Sequence, residues 1–277
     1  MSKDFILITS QNEKLRITTY SFDNTGTSPC IILVHGFKGF KDWGFGPFIG
    51  EYLARKGFFV ITFNFSHNGV GDSLTEFTEL DKFADNTFSL EITELNELIS
   101  AYLKGDFCIV ENKKIGLIGH SRGGAISLLT ANKNKFVDAV AAWSAVSKLD
   151  RYSERQKEKW REKGVFEVLN TRTKQVMKLN VSLLEDIEQN SNDRLNIEKA
   201  VRGLNKPLLI VHGKQDLAVS FDEGKKLFEW ADKRFTEFYP IENIGHTFDI
   251  QHPFKGSNNK FDTVLNKTTE FFKSNLN

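Results

Sequence analysis

The stretch Gly119-His120-Ser121-Arg122-Gly123 constrains this chain more than any other. The apolar run Ile115-Gly116-Leu117-Ile118 leads into it, and Ala125-Ile126-Ser127-Leu128-Leu129 leads out. The order predicted is strand, tight turn, helix. Such a turn forces the serine backbone into a strained conformation and pushes its hydroxyl into the open. Glycines on either side are needed because strand and helix come close together there. The helix that starts at the turn offers unpaired backbone N–H groups to a negative charge.

The surrounding pattern is one of alternation. Phe5 to Thr9 and Leu15 to Tyr20 read as a hairpin turning at Gln11-Asn12. Cys30 to Val34 and Phe58 to Phe63 are continuous apolar runs, as expected of strands buried on both faces. Pro47 to Lys56 between them reads as a helix, with Pro at its start and Gly57 after its end. From Ala84 to Lys104 the apolar residues Phe88, Ile92, Leu95, Ile99 and Tyr102 recur at helical spacing. Strand Val137 to Trp143, strand Pro207 to Val211, helix Phe221 to Trp230, strand Phe235 to Tyr239 and helix Phe261 to Phe272 complete the series. This predicts an α/β fold, a mostly parallel sheet with helices on both faces.

Residues 150–203 break the alternation. About two in five residues from Arg151 to Ala200 are charged, of both signs, and no strand pattern stands out. Pieces of helical period remain at Val181, Leu184 and Ile187. The expected organisation is a core of residues 1–149 and 204–277 with a small, mainly helical cap inserted at 150–203. That insertion leaves from the sheet edge where Ser121 stands. It is expected to cover the site, with Trp160, Phe166 and Leu184 lining a substrate pocket. Glu154, Glu158 and Glu162 sit at helical spacing among lysines and read as a solvated face.

A serine at such a turn needs a base, and the base needs an acid to fix its tautomer. His246 lies in Gly245-His246-Thr247, after the last strand. Asp216 follows the strand Leu208-Leu209-Ile210-Val211, with Asp222 and Asp249 as rivals. Ser, then Asp, then His is the chain order of this type of turn. All three fall at carboxyl ends of parallel strands, where open α/β sheets carry their sites. A tetrahedral intermediate would take hydrogen bonds from two backbone N–H groups. These are expected from Arg122, next to the serine, and from Phe37 in the loop His35-Gly36-Phe37, where Gly36 lets the backbone turn. His35 and His67 read as loop-holding residues rather than participants.

Composition excludes other classes. The chain has 277 residues and a formal net charge of +1, so no strong field points to nucleic acid or an anionic membrane. No apolar run approaches the roughly 18 residues of a membrane span, and the amino terminus lacks a signal-peptide pattern. Cys30 and Cys108 are the only cysteines and read as reduced thiols. A cytoplasmic location is expected. The histidines are scattered without ligand spacing, so no metal is expected. The turn lacks the glycines of a dinucleotide loop, so no cofactor is expected.

With these residues in hand, the chain resembles the α/β-hydrolase superfamily over nearly its whole length. Within it, the chain resembles cinnamoyl/feruloyl esterase-like, dienelactone-hydrolase-like and serine-aminopeptidase-like members. The residues behind that are His35-Gly36-Phe37-Lys38-Gly39, Phe63-Asn64-Phe65-Ser66 with Gly71-Asp72-Ser73, Gly119 to Gly124, and Gly245-His246-Thr247-Phe248. Dienelactone hydrolases proper carry cysteine where Ser121 stands, which argues against their substrate. The resemblance implies cofactor-free hydrolysis of a small-molecule carboxylic ester by a serine esterase. The rivals are a peptidase or amidase on the same triad and a non-catalytic binding protein with this fold.

Overall fold

A computed structural model describes residues 1–22, 26–73 and 75–276. Among these residues, eight strands form one sheet in the order β1-β2-β4-β3-β5-β6-β9-β10. Strands β1 (Ser2–Ile8) and β2 (Lys14–Tyr20) form the expected hairpin at one edge, and β2 pairs antiparallel with β4. The other six run parallel: β3 (Cys30–Val34), β4 (Phe59–Asn64), β5 (Ile115–His120), β6 (Ala139–Trp143), β9 (Leu208–Gly213) and β10 (Thr236–Ile241).

The sheet separates two cores. Consecutive side chains on an inner strand point to opposite faces. Ile31 and Ile32, Leu117 and Ile118, and Leu209 and Ile210 therefore enter different cores. Helices α1 (Gly46–Arg55) and α9 (Asn259–Leu276) cover one face through Leu53, Phe261 and Phe272. Helices α3 (Phe88–Lys104), α4 (Arg122–Lys133) and α8 (Phe221–Trp230) cover the other through Leu95, Ile126 and Leu227.

The chain leaves β3 for β4 on one side and returns to β5 on the other. That reversal opens a crevice at the carboxyl ends of β3 and β5. The loops after these two strands carry Phe37 and Ser121.

The helix expected to start at Ala84 is two helices. A short α2 (Leu80–Ala84) ends, and Thr87, in extended conformation, restarts the chain by accepting a hydrogen bond from Leu90 N at 3.2 Å. The apolar spacing persists into α3, but the N-cap sets the boundary.

Residues 150–203 hold helices α5 (Glu154–Lys163), α6 (Val181–Asn190) and α7 (Ile197–Arg202), and also a hairpin that the sequence reading lacks. Strands β7 (Val165–Asn170) and β8 (Gln175–Asn180) pair antiparallel from Val165↔Asn180 to Asn170↔Gln175. Only a few side chains of each strand turn inward, among them Met177 and Leu179. The turn is closed by Lys174 at φ 62° rather than by Gly or Asn, so its usual marker is missing.

Glu94 of α3 anchors the loop after β4. Its carboxylate accepts from Ser66 N at 3.1 Å and from the Ser66 hydroxyl. Burial raises its pKa from 4.5 to about 7. Folding therefore retains the proton. The stability this carries is complete below 4.5 and is lost as pH rises through about 7. Glu94→Gln removes the charge while its amide oxygen accepts from Ser66 N and its NH2 donates to the Ser66 hydroxyl oxygen. Its Tm relative to the wild type should rise by about 5 °C between pH 5 and pH 8. Thermal unfolding at both pH values checks this; an unchanged difference would exclude a buried charge at this site.

Candidate active site

Ser121 sits between β5 and α4 at φ 58° and ψ −122°. A non-glycine residue there is strained and must be held by its surroundings. Ser121 N donates to Trp143 O at 2.8 Å and Ser121 O accepts from Gly124 N at 3.0 Å. A Cβ on Gly123 would stand 2.2 Å from Val34 O, so the helix can start this close to β3 only with glycine there. Among the described residues no hydrogen bond ties down the Ser121 hydroxyl, and the residue lines two cavities.

His246 follows β10, and its Nδ1 lies 2.7 Å from Asp216 Oδ2. Asp216 is buried. Its Oδ1 accepts from Ala218 N at 2.9 Å and Val219 N at 2.8 Å. Burial alone would raise its pKa, but hydrogen bonds from His212 and His246, the charge of His246 and the Val219 N–H outweigh it. The carboxyl is held well below the usual carboxylate range. Among the described residues neither rival bonds the His246 ring: Asp222 is exposed and pairs with Lys225, and Asp249 is exposed and accepts from Gly245 N.

Two histidines that the sequence reading did not assign support this pair. His120 Nε2 donates to the His246 carbonyl at 2.8 Å, and the two rings lie 4.7 Å apart. Burial first, then the charge of His246, lowers the His120 pKa to about 3, so the ring is neutral and holds the loop as a donor. His212 is fully buried; its Nε2 donates to Val219 O at 3.0 Å and lies 3.4 Å from Asp216 Oδ2.

The loop after β3 presses against Ser121. A Cβ on Gly36 would stand 2.9 Å from His120 O, 3.0 Å from Ser121 Cβ and 3.5 Å from Arg122 N. Glycine is required here by this close approach, not by the turn expected from the sequence. His35 is neutral, burial lowering its pKa to about 4; its Nε2 accepts from Phe65 N and its Nδ1 donates to Gly36 O. Neither Phe37 N nor Arg122 N donates to a protein acceptor among the described residues. The Arg122 side chain joins their two loops. Its guanidinium pairs with buried Glu91 at 2.6 Å and lies over the Phe37 ring at 4.9 Å. Gly36→Ala should push this loop off the turn and lower kcat by about 10²-fold, with KM less affected, since displacements near 1 Å carry losses of that size. Steady-state kinetics check this; a loss within about threefold would exclude tight contact.

The first cavity measures about 380 Å³ and the second about 340 Å³; they share Phe37, Lys38, Ser121 and His246. The expected pocket residues do not line either one. Trp160 is fully buried, donates from Nε1 to Leu179 O at 2.9 Å and packs on Tyr152 and Phe166. Leu184 is fully buried in the larger core. The insertion reaches the cavities instead through Asn170, Thr171 and Arg172 at the hairpin turn, and through Tyr152 and Leu183. The largest apolar residues are spent on anchoring the insertion, which spacing alone does not distinguish from lining. His67 lies outside both cavities and bonds Ser66 Oγ.

The sequence profile of the prolyl oligopeptidase family matches residues 48–277. A search of curated sequences finds no match. Similar solved structures include Est1E from Butyrivibrio proteoclasticus with ferulic acid bound, at TM-score 0.75 and 20% identity over 98% of each chain. The α/β hydrolase GrgF from Penicillium sp. sh18 matches at TM-score 0.75 and 18% identity, over 100% of this chain and 99% of that one. The esterase domain of a Rhodothermus marinus protein matches at TM-score 0.68 and 20% identity over 100% of both. At these identities the likeness is one of fold.

Proposed function

The chain belongs to the prolyl oligopeptidase family and is a serine hydrolase of the α/β-hydrolase fold, and from that premise we propose that it cleaves carboxylic esters through Ser121, His246 and Asp216. The observation that carries this reading is the 2.7 Å His246–Asp216 pair, with His246 lining the same two cavities as Ser121 on its strained turn. Asp216 fixes the proton on His246 Nδ1 and leaves Nε2 as the base. Nε2 takes the Ser121 proton as Oγ attacks the ester carbonyl. The carbonyl oxygen becomes an oxyanion beside the N–H groups of Phe37 and Arg122. The tetrahedral intermediate collapses, His246 gives its proton to the leaving alcohol, and an acyl-enzyme remains. Water then attacks with His246 as base, and Ser121 is released with the acid product. In this reading residues 150–203 act as a cap. Its hairpin turn and Tyr152 complete the walls on either side of Ser121.

Membership of this family favours a second reading, amide or peptide cleavage by the same groups. An aminopeptidase needs an anion for the free amine of its substrate. Among the described residues no Asp or Glu lines either cavity. Glu154 and Glu158 are exposed on α5, and Glu154 pairs with Lys157. The deciding experiment compares kcat/KM for p-nitrophenyl acetate and butyrate with that for aminoacyl p-nitroanilides. Faster ester cleavage by about 10²-fold or more, beyond the intrinsic difference measured with hydroxide, supports the proposal. Faster anilide cleavage overturns it in favour of the peptidase. Among the described residues no helix is long and apolar enough to cross a membrane.

A further inference from the structure

Two cations stand together at the first cavity without an anion among the described residues to answer them. Lys38 is half-buried, and among the described residues its Nζ donates only to Leu169 O, at 3.2 Å. Arg172, exposed at the hairpin turn, lays its guanidinium over the rings of Phe40 and Phe77 at 5.4 and 5.8 Å. Its Nη2 reaches the Lys38 carbonyl at 3.5 Å. Neither side chain forms an ion pair among the described residues.

Their neighbours are treated differently. Lys41 on the same wall pairs with Asp42 at 2.7 Å. Arg122 pairs with Glu91 at 2.6 Å, and Arg151, in the second cavity, pairs with Glu223 at 2.7 Å. Burial and the charge of Arg172 both lower the proton affinity of Lys38. Lys38 also holds a left-handed backbone, at φ 55°. The rest of the wall is largely aromatic, with Phe40, Trp43, Phe45 and Trp143.

Like charges side by side repel, and a strained backbone adds to the cost. A carboxylate seated between them relieves the repulsion and gains charge-assisted hydrogen bonds, with a planar fork from the arginine. The aromatic wall suits an apolar spacer between that carboxylate and the reacting carbonyl. We propose that the preferred substrates are esters carrying a second, free carboxylate, held by Lys38 and Arg172 with the spacer along the aromatic wall. This rests on the ester-cleaving reading.

The test compares charged and neutral esters of equal length. Monomethyl succinate, adipate and suberate carry the anion on the acyl side, and their ω-carboxamide methyl esters are the neutral controls. 6-Acetoxyhexanoate and its amide place the same anion on the alcohol side. In the wild-type protein at least one charged ester should exceed its neutral control by about 10-fold or more in kcat/KM, and added salt should erode the difference. The side on which the preference falls identifies the moiety that occupies this cavity. Arg172→Gln and Lys38→Gln should each reduce the ratio, and the double variant should bring it near unity. Arg172→Lys should keep part of it, which separates charge recognition from simple loosening of the hairpin. If the double variant fails to fold, Lys38→Gln alone carries the test.

Equal rates for every charged and neutral pair overturn the inference while leaving the ester reading intact. A preference that survives both glutamine variants also overturns it, since the anion then binds elsewhere. Turnover of no ester, in protein whose Ser121 is labelled by a fluorophosphonate, overturns the ester reading and the inference together.

Discussion

Ser121→Ala is expected to lower kcat for ester hydrolysis by about 10³-fold or more with the fold intact. Removing the hydroxyl removes the atom that would form the acyl-enzyme, and no other hydroxyl stands at the N-terminus of α4. The turn itself does not depend on Oγ. Its conformation is set by Ser121 N on Trp143 O and by the close approach of Gly123 to β3. Alanine at φ 58° is no more strained than serine, so Tm should be unchanged or slightly higher. Activity within about tenfold of the wild type, after removal of contaminating esterases, would mean that Ser121 is not the nucleophile.

Asp216→Asn should cost about 10² to 10⁴ in kcat. The substitution preserves size and the acceptor for Ala218 N and Val219 N, but it turns Oδ2 into a donor. That donor faces His246 Nδ1 at 2.7 Å and His212 Nε2 at 3.4 Å. His246 answers by accepting at Nδ1, which moves its proton to Nε2 and removes the base. The imidazolium also loses its counter-charge. Asp222→Asn and Asp249→Asn, at exposed positions whose carboxylates do not bond the His246 ring, should fall within about threefold of wild type. Steady-state rates of the three variants check this assignment. A crippling loss in either control, with Asp216→Asn active, would name a different acid.

The parts of this site that are legible in the sequence are those with a local signature. Ser121 lies between an apolar strand and a helix of small residues. Asp216 and His246 fall in the loops that close two later strand patterns. The alternation of strands and helices likewise carries the sheet, because burial on both faces writes continuous apolar runs. What the sequence conceals depends on contacts between distant segments. His120 acts on a carbonyl 126 positions away. His212 is indistinguishable along the chain from any strand histidine until the loop to Val219 folds over it. Arg122 enters the reading for its backbone N–H, yet its side chain ties the Phe37 loop to α3 through Glu91. The hairpin at Val165–Asn180 is hidden because apolar residues, Leu169 and Val176, also stand on its exposed side and blur the alternation, and its turn uses Lys174. Trp160, Phe166 and Leu184 mislead because a large apolar residue in an insertion looks the same whether it packs the insertion or lines its cavity.

The most direct measurement is labelling with a fluorophosphonate followed by peptide mass spectrometry. The reagent phosphonylates a serine only where a base and an oxyanion site activate it. The expected result is a single adduct on the peptide containing Ser121, formed rapidly in the wild type and suppressed in His246→Ala. Absence of that adduct, under conditions that label a control serine hydrolase, contradicts the assignment. So does an adduct on a different serine.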